Sequence, residues 1–224
     1  MPIYNAQILN IDAEETRRYA GLQKAENFDE KNISDACDEA LFLLDVKGVW
    51  KIYDYDRENN LVLSEPNFKI VGNSIVKHLA KCEKVACIAV TVGEKIENEV
   101  TKKFKQGNYV ASMLLDAAAT SAVEQAADSL EKAIEEKISR ESYKMKSRYS
   151  PGYGDWSLYE QKNFFPLTGA TEIGMKLSTA MMLIPRKSIT AIIGLEKIVA
   201  CDEEKILKKH SCESCDKLDC PARK

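Results

Sequence analysis

Val85-Ala86-Cys87-Ile88-Ala89-Val90-Thr91-Val92 is the stretch from which the fold of this chain is read. Eight apolar or β-branched residues in a row, too few for a helix of ordinary length, read as a central strand buried on both faces. Upstream, Val49-Trp50-Lys51-Ile52-Tyr53-Asp54-Tyr55 alternates as a half-buried strand does, and Asn59-Asn60 turns the chain into short strands at 61–63 and 68–71. A helix over 74–81 then leads into the central strand. Nearer the N-terminus, Asp12 with Glu14 and Glu15 caps a short helix reaching Tyr19. Asn32-Ile33-Ser34-Asp35 opens another, whose apolar positions recur at helical spacing until Gly48 stops it.

Downstream, no Gly or Pro interrupts 108–141, a length that predicts one helix of about nine turns. Its middle is small (Ala117-Ala118-Ala119-Thr120-Ser121-Ala122, then Ala126-Ala127), which suits either close packing on a sheet or the approach of a ligand. Residues 144–150 read as a strand, Ser157 as the cap of a helix with Glu160 three residues on, and 175–179 and 187–195 as the last strands. The fold class expected is α+β, with helices packed on a twisted, largely antiparallel sheet. One unit over 1–200 and a cysteine-rich tail over 201–224 account for the 224 residues.

Composition narrows the function classes. Apolar residues at 45% and charged residues at 30% fit a folded, water-soluble chain. A formal net charge of −3, with Lys and Arg dispersed, excludes the concentrated basic surface of a nucleic-acid binder. No apolar run is long enough to span a membrane, and Met1 to Asn5 lack a signal-peptide pattern. Seven cysteines without an export signal predict a cytoplasmic, reducing environment, with Cys37, Cys82 and Cys87 as core thiols.

Arg148-Tyr149-Ser150-Pro151-Gly152-Tyr153-Gly154-Asp155-Trp156 carries the chemistry. An arginine at a strand end beside a glycine-bearing turn can clamp a carboxylate or phosphate against backbone that a ligand approaches closely, and Tyr153 and Trp156 add flat apolar surface. The same residues also suit a surface turn whose arginine pairs with a neighbouring acid. Arg148-x-x-x-Gly152-Tyr153 resembles the Arg-x-x-x-Gly-Tyr signature of the activation domain of cobalamin-dependent methionine synthase. Gly174-Met175-Lys176-Leu177-Ser178, then Met181, Pro185 and Ser188-Ile189-Thr190, are similar to two further segments of that family, and the helix around Glu124 and Asp128 to a third. The likeness covers about residues 85–195 and is closest to the stand-alone form of the domain.

That resemblance implies an S-adenosylmethionine-binding accessory protein, not a complete catalyst. It would support reductive methylation of cob(II)alamin on a cobalamin-dependent (vitamin B12) methionine synthase or related corrinoid protein in methionine biosynthesis, with an electron from a flavodoxin-like or other low-potential donor. The roles implied are Arg148 on the methionyl carboxylate, backbone around Ser150 on the adenine or ribose, and Gly152 keeping that approach open. Glu124 would face the cationic end of the ligand, with a solvated helix acid as its other reading, and Tyr153 would sit at the mouth. The sequence departs from the family at Leu177-Ser178-Thr179-Ala180, where Thr179 stands in place of an acid, and it has no match for a ligand-contacting tyrosine beyond Ile193.

Cys212-x-x-Cys215-x-x-x-x-Cys220, with Cys201 eleven residues upstream, has metal-ligand spacing. It reads as a zinc or iron–sulfur site, with His210 as a further zinc ligand, or as a flexible or redox-active thiol tail. The tail supports a second function, an electron-transfer protein serving corrinoid methyltransferases. An ATP-driven activator is excluded by the lack of a phosphate-binding Gly-x-x-x-x-Gly-Lys motif, and an independent methyltransferase is disfavoured by the lack of a Gly-rich loop after a first strand.

Overall fold

The computed structural model describes residues 3–198. Two short N-terminal helices, α1 (Ala13–Tyr19) and α2 (Glu30–Leu43), precede β1 (Lys47–Asp56), β2 (Leu61–Val62) and β3 (Phe68–Lys69). Helix α3 (Asn73–Leu79) leads into β4 (Lys84–Thr91), followed by α4 (Lys95–Lys105), the 31-residue α5 (Tyr109–Ser139) and β5 (Tyr143–Met145). After α6 (Gln161–Thr168) the chain makes the hairpin of β6 (Lys176–Leu177) and β7 (Leu183–Ile184), then β8 (Ser188–Lys197). The main sheet runs β3-β2-β1-β4-β8-β5 with antiparallel pairing throughout, so the α+β architecture read from the sequence holds.

The apolar run of β4 is explained by its place between two layers. Ala86, Ile88 and Val90 pack under α5 with Ala191, Ile193 and Leu195 of β8. Val85 and Cys87 face the other way, into a core with α3, α6, Trp156 and Ile192. An antiparallel strand covered on both faces loses the polar half of its alternation. The small residues of α5 serve the same end. Ala118, Ala119 and Ala122 sit among α1, α2 and α4, and Ala126 and Ala127 sit on the sheet, all fully buried. Packing, not an opening for a ligand, uses these alanines.

Three local expectations need correction. Gly48 does not end α2, which stops at Leu43. It lies within β1, where an added Cβ would come 3.2 Å from Leu130 of α5. Helix α2 starts from Asp29, whose carboxylate accepts from the Lys31 amide, rather than from Asn32 or Ser34. Helix α4 was not expected, although Ile96, Val100 and Phe104 recur at helical spacing along it. The three thiols Cys37, Cys82 and Cys87 are buried as expected, and burial raises the pKa of each, that of Cys82 to about 11. No described helix is long and apolar enough to cross a membrane.

Close approach of α3 to the sheet depends on Gly194 of β8. A Cβ there would lie 2.5 Å from Cys82 Sγ and 2.9 Å from a Leu79 methyl, both in fully buried side chains. Gly194→Ala should therefore cost about 1–3 kcal/mol of stability, the range for overpacking a core. In urea unfolding the midpoint should fall with the slope unchanged. A wild-type midpoint would mean that this corner has slack.

Candidate functional site

Tyr149 exchanges backbone hydrogen bonds with Ile192 of β8, each 2.9 Å, and so extends the sheet by one residue pair beyond β5. Its ring packs on the α3 side, 5.4 Å from that of His78 and 6.2 Å from that of Trp156. Successive side chains of extended backbone point to opposite faces, so Arg148 faces α5. There its guanidinium meets three carboxylates. Nη1 donates to Asp128 Oδ1 at 2.7 Å and Glu131 Oε1 at 2.6 Å, and Nη2 donates to Glu124 Oε2 at 2.7 Å. The three acids lie four and three residues apart, on one stripe of the helix.

Of the two readings of the Arg148 stretch, the pairing with acids is the one observed. Arg148 and Glu124, expected on the same ligand, are in direct contact, and the arginine does pair with neighbouring acids. Nε and the second N–H of Nη2 make no hydrogen bond among the described residues, so this guanidinium keeps donors beyond those that the three acids take. The locus holds three carboxylates and one guanidinium, an excess of negative charge that favours a cationic group alongside. Burial, outweighing the attraction of Arg148, raises the pKa of Glu131, and the charges of Asp128 and Glu124 add to the rise. Tyr19 of α1 is raised too, by burial and then by the charge of Glu124, which brings α1 to the edge of the locus.

The Ser150–Tyr153 turn is fixed from three directions. The Tyr153 amide donates to Ser150 O at 3.0 Å, and the Gly152 amide to Trp156 O at 2.7 Å. Gly152 has φ +97°, and an added Cβ would meet only Leu158 at ordinary contact distance. The glycine is required by the backbone conformation, not by a crowding neighbour. Gly154 is required for space: its Cβ would collide with the Tyr149 hydroxyl and sit 3.2 Å from Ser74. Asp155 ties the turn to α3, accepting from the Asn73 and Ser74 amides at 2.7 and 2.9 Å. These bonds hold its carboxyl below the ordinary aspartate range. Trp156, expected as surface for a ligand, is instead 1% exposed and stacks edge-on against Phe164 in the core.

A cleft of about 250 Å³ opens beside this turn. Ser150, Pro151 and Tyr153 form one wall, Met181 to Leu183 of the β6–β7 hairpin another, and Ser188 to Thr190 the floor. Gln161 and Leu158 close the side next to α6, with the Gln161 amide donating to Thr190 Oγ1 at 2.6 Å. Arg186 lines the rim. Ser150 and Tyr153 thus take part in the cleft, whereas Arg148 and Glu124 lie beyond its walls. Sequence reading missed Glu131 and Arg186. The spacing of 124, 128 and 131 on an unbroken helix carries a signal for the first, and nothing in the motif spacing carries one for the second. Thr179, where the family has an acid, is exposed in the turn between β6 and β7. Cys201, Cys212, Cys215 and Cys220, and His210 with them, lie outside the described residues. Among the described residues no cluster of three or more His, Cys, Asp or Glu side chains could hold a metal ion.

The partly buried locus makes a stability prediction with a defined sign. Arg148→Ala should cost about 1–3 kcal/mol, below the range for a fully buried pair because Arg148 and Asp128 keep some exposure. Glu131 holds its proton more tightly folded than unfolded, so stability falls as pH rises from the ordinary glutamate value through the folded one. Removing Arg148 removes an influence that lowers this pKa, which carries the window to higher pH. The deficit of the variant should therefore shrink as pH is lowered from about 8 to about 5, measured by urea unfolding. A deficit independent of pH would show that Glu131 stays ionised without its partner.

No family model and no curated protein sequence matches the chain. Among solved structures it is similar to the MetH reactivation domain bound to AdoHcy, with a TM-score of 0.57 and 16% sequence identity over 87% of this chain and 78% of that one. The likeness spans most of both chains, and at that identity it establishes the fold: this is an α+β chain built like the MetH reactivation domain.

Proposed function

We propose that the chain binds S-adenosylmethionine beside the Ser150–Tyr153 turn and acts with a cobalamin-dependent methionine synthase or related corrinoid protein in the reactivation of cob(II)alamin. The observation that carries this reading is the convergence at one turn of the Arg148-x-x-x-Gly152-Tyr153 sequence, the Glu124 carboxylate on Arg148, and a cleft walled by Ser150 and Tyr153. The similarity to a domain whose structure contains AdoHcy, the demethylated form of the proposed ligand, supports it. In the reaction proposed, one electron from a flavodoxin-like or other low-potential donor reduces cob(II)alamin on the partner. The methyl carbon then passes from sulfur to cobalt, and the pair of the broken C–S bond stays on sulfur as S-adenosylhomocysteine.

The chain's own contribution is positioning. At about 250 Å³ the cleft is smaller than the roughly 300 Å³ at which small-molecule sites begin. It suits a ligand gripped from one side and covered from the other by a partner. The carboxylate excess around Arg148 favours the positively charged sulfonium form over the neutral thioether. Tyr153 is exposed and lines the cleft, as a residue at its mouth would be. The electron-transfer reading rests on the cysteine spacing of the tail and on Thr179, which stands in place of an acid.

Calorimetry tests the ligand. S-adenosylmethionine should bind about threefold to tenfold more tightly than S-adenosylhomocysteine, a margin that falls with added salt and shrinks in Glu124→Gln. Equal affinity for the two, insensitive to salt, would remove the electrostatic argument. Reconstitution tests the reaction: with oxidised synthase, S-adenosylmethionine and a low-potential reductant, methylcobalamin should form, followed by absorbance, only when this chain is present.

A further inference from the structure

We propose that the main chain of Thr190, on the cleft floor, reads the edge of a 6-aminopurine base; this rests on the S-adenosyl reading given above. The backbone hydrogen bonds of β8 point to it. In an antiparallel sheet, successive residues of a strand turn their N–H and C=O groups alternately toward one neighbour and the other. Ile192 gives both groups to Tyr149, at 2.9 Å each, and the Gly194 carbonyl accepts the Lys146 amide at 2.8 Å, so even-numbered residues of β8 face the β5 side. Lys187 has the opposite parity, its carbonyl accepting the Val92 amide just beyond β4 at 3.2 Å. Thr190 therefore directs its N–H and C=O away from β4, to the place where the segment after Tyr149 would continue the sheet.

Pro151 breaks that continuation. With Tyr149 opposite Ile192, residue 151 falls opposite Thr190, and a proline has no N–H to give to its carbonyl. The chain also leaves the sheet here, where the Tyr153 amide donates to Ser150 O. Neither the N–H nor the C=O of Thr190 has a hydrogen-bond partner among the described residues, although Thr190 is only 3% exposed. Main-chain groups so deeply covered are almost always paired, and a donor and an acceptor left side by side mark a place where a ligand supplies the partners. Thr190 and Pro151 line the same cleft. Gln161, also 3% exposed, donates to Thr190 Oγ1 at 2.6 Å and so engages the hydroxyl, while the peptide groups stay open. A donor beside an acceptor on one strand edge matches a flat heterocycle with an acceptor beside a donor. Adenine has that order: a ring nitrogen accepts from Thr190 N–H, and the 6-amino group next to it donates to Thr190 C=O. Hypoxanthine in the same pose sets its 6-oxo oxygen against the Thr190 carbonyl, acceptor against acceptor. The strand edge selects the base, and Pro151 keeps that edge open.

Calorimetry with S-adenosylhomocysteine and S-inosylhomocysteine, which differ only in the base, tests the selection. The inosyl ligand should bind about tenfold or more weakly, as for a hydrogen bond replaced by two facing acceptors. Thr190→Val, which removes the hydroxyl and keeps the main chain, should leave that ratio within about twofold. Amide exchange followed by NMR locates the contact. In the free protein the Thr190 amide should exchange faster than those of Ala191 and Ile192, and S-adenosylhomocysteine should slow it about tenfold or more. Equal affinity for the two ligands, a ratio lost in Thr190→Val, or a Thr190 amide that bound ligand leaves unchanged would overturn the assignment while the S-adenosyl reading stands. Wild-type protein that binds neither ligand would overturn both.

Discussion

Alternation along one extended segment sends Arg148 and Tyr149 to opposite faces of the sheet, and the organisation of the site follows from it. Tyr149 is locked to Ile192 by two backbone bonds, so its neighbour has no choice of direction. The aromatic ring goes into the core shared with α3 and α6, and the guanidinium goes to the long helix. The turn that follows leaves the sheet with its origin fixed on both sides. Asp155, bonded to the start of α3, fixes the other end. A turn defined at both ends by bonds to different layers is a rigid wall for a cleft, although most of its residues are exposed.

Charge around the turn is distributed unevenly. The α5 side carries three acids against one guanidinium, whereas the cleft side carries neutral polar groups and a single arginine. Asp116, Thr120, Glu124 and Asp128 continue the α5 stripe at intervals of four, with Lys187 bonded at one end and Arg148 at the other. The two cations pin the segments that lead into the Ser150 turn and into the cleft floor to the same helix face.

Much of this was legible in the sequence, for physical reasons that can be named. β4 could be read because burial on both faces leaves an uninterrupted apolar run. α5 could be read because 31 helical residues without Gly or Pro have no competing interpretation. The pairing of Arg148 with a neighbouring acid was one of two readings of the same residues, and that the acids lie on α5 was not foreseen. Other features depended on contacts distant in sequence. Gly48 carries the mark of a helix stop, but the approach of Leu130 gives it a place in a strand. Trp156 sits next to an exposed turn, and only the packing of Phe164 draws it inward. α4 carries Ile96, Val100 and Phe104 at four-residue spacing, a helical signal that sequence reading missed, with Ile96 and Val100 packed on the core. Arg186 belongs to no motif, and its place on the rim comes from the hairpin folding back beside the Ser150 turn.

β8 serves both layers by residue parity. Its even positions, Ser188, Thr190 and Ile192, look toward α3, α6 and the cleft, while Ala191, Ile193 and Leu195 look toward α5. A single-residue insertion or deletion within this strand would exchange the two sets, placing isoleucines over the cleft and hydroxyls under the helix. Variation in length is therefore shut out of the cleft floor. It can be absorbed only in the hairpin and turn that border the floor, so change in ligand preference has to come from those borders.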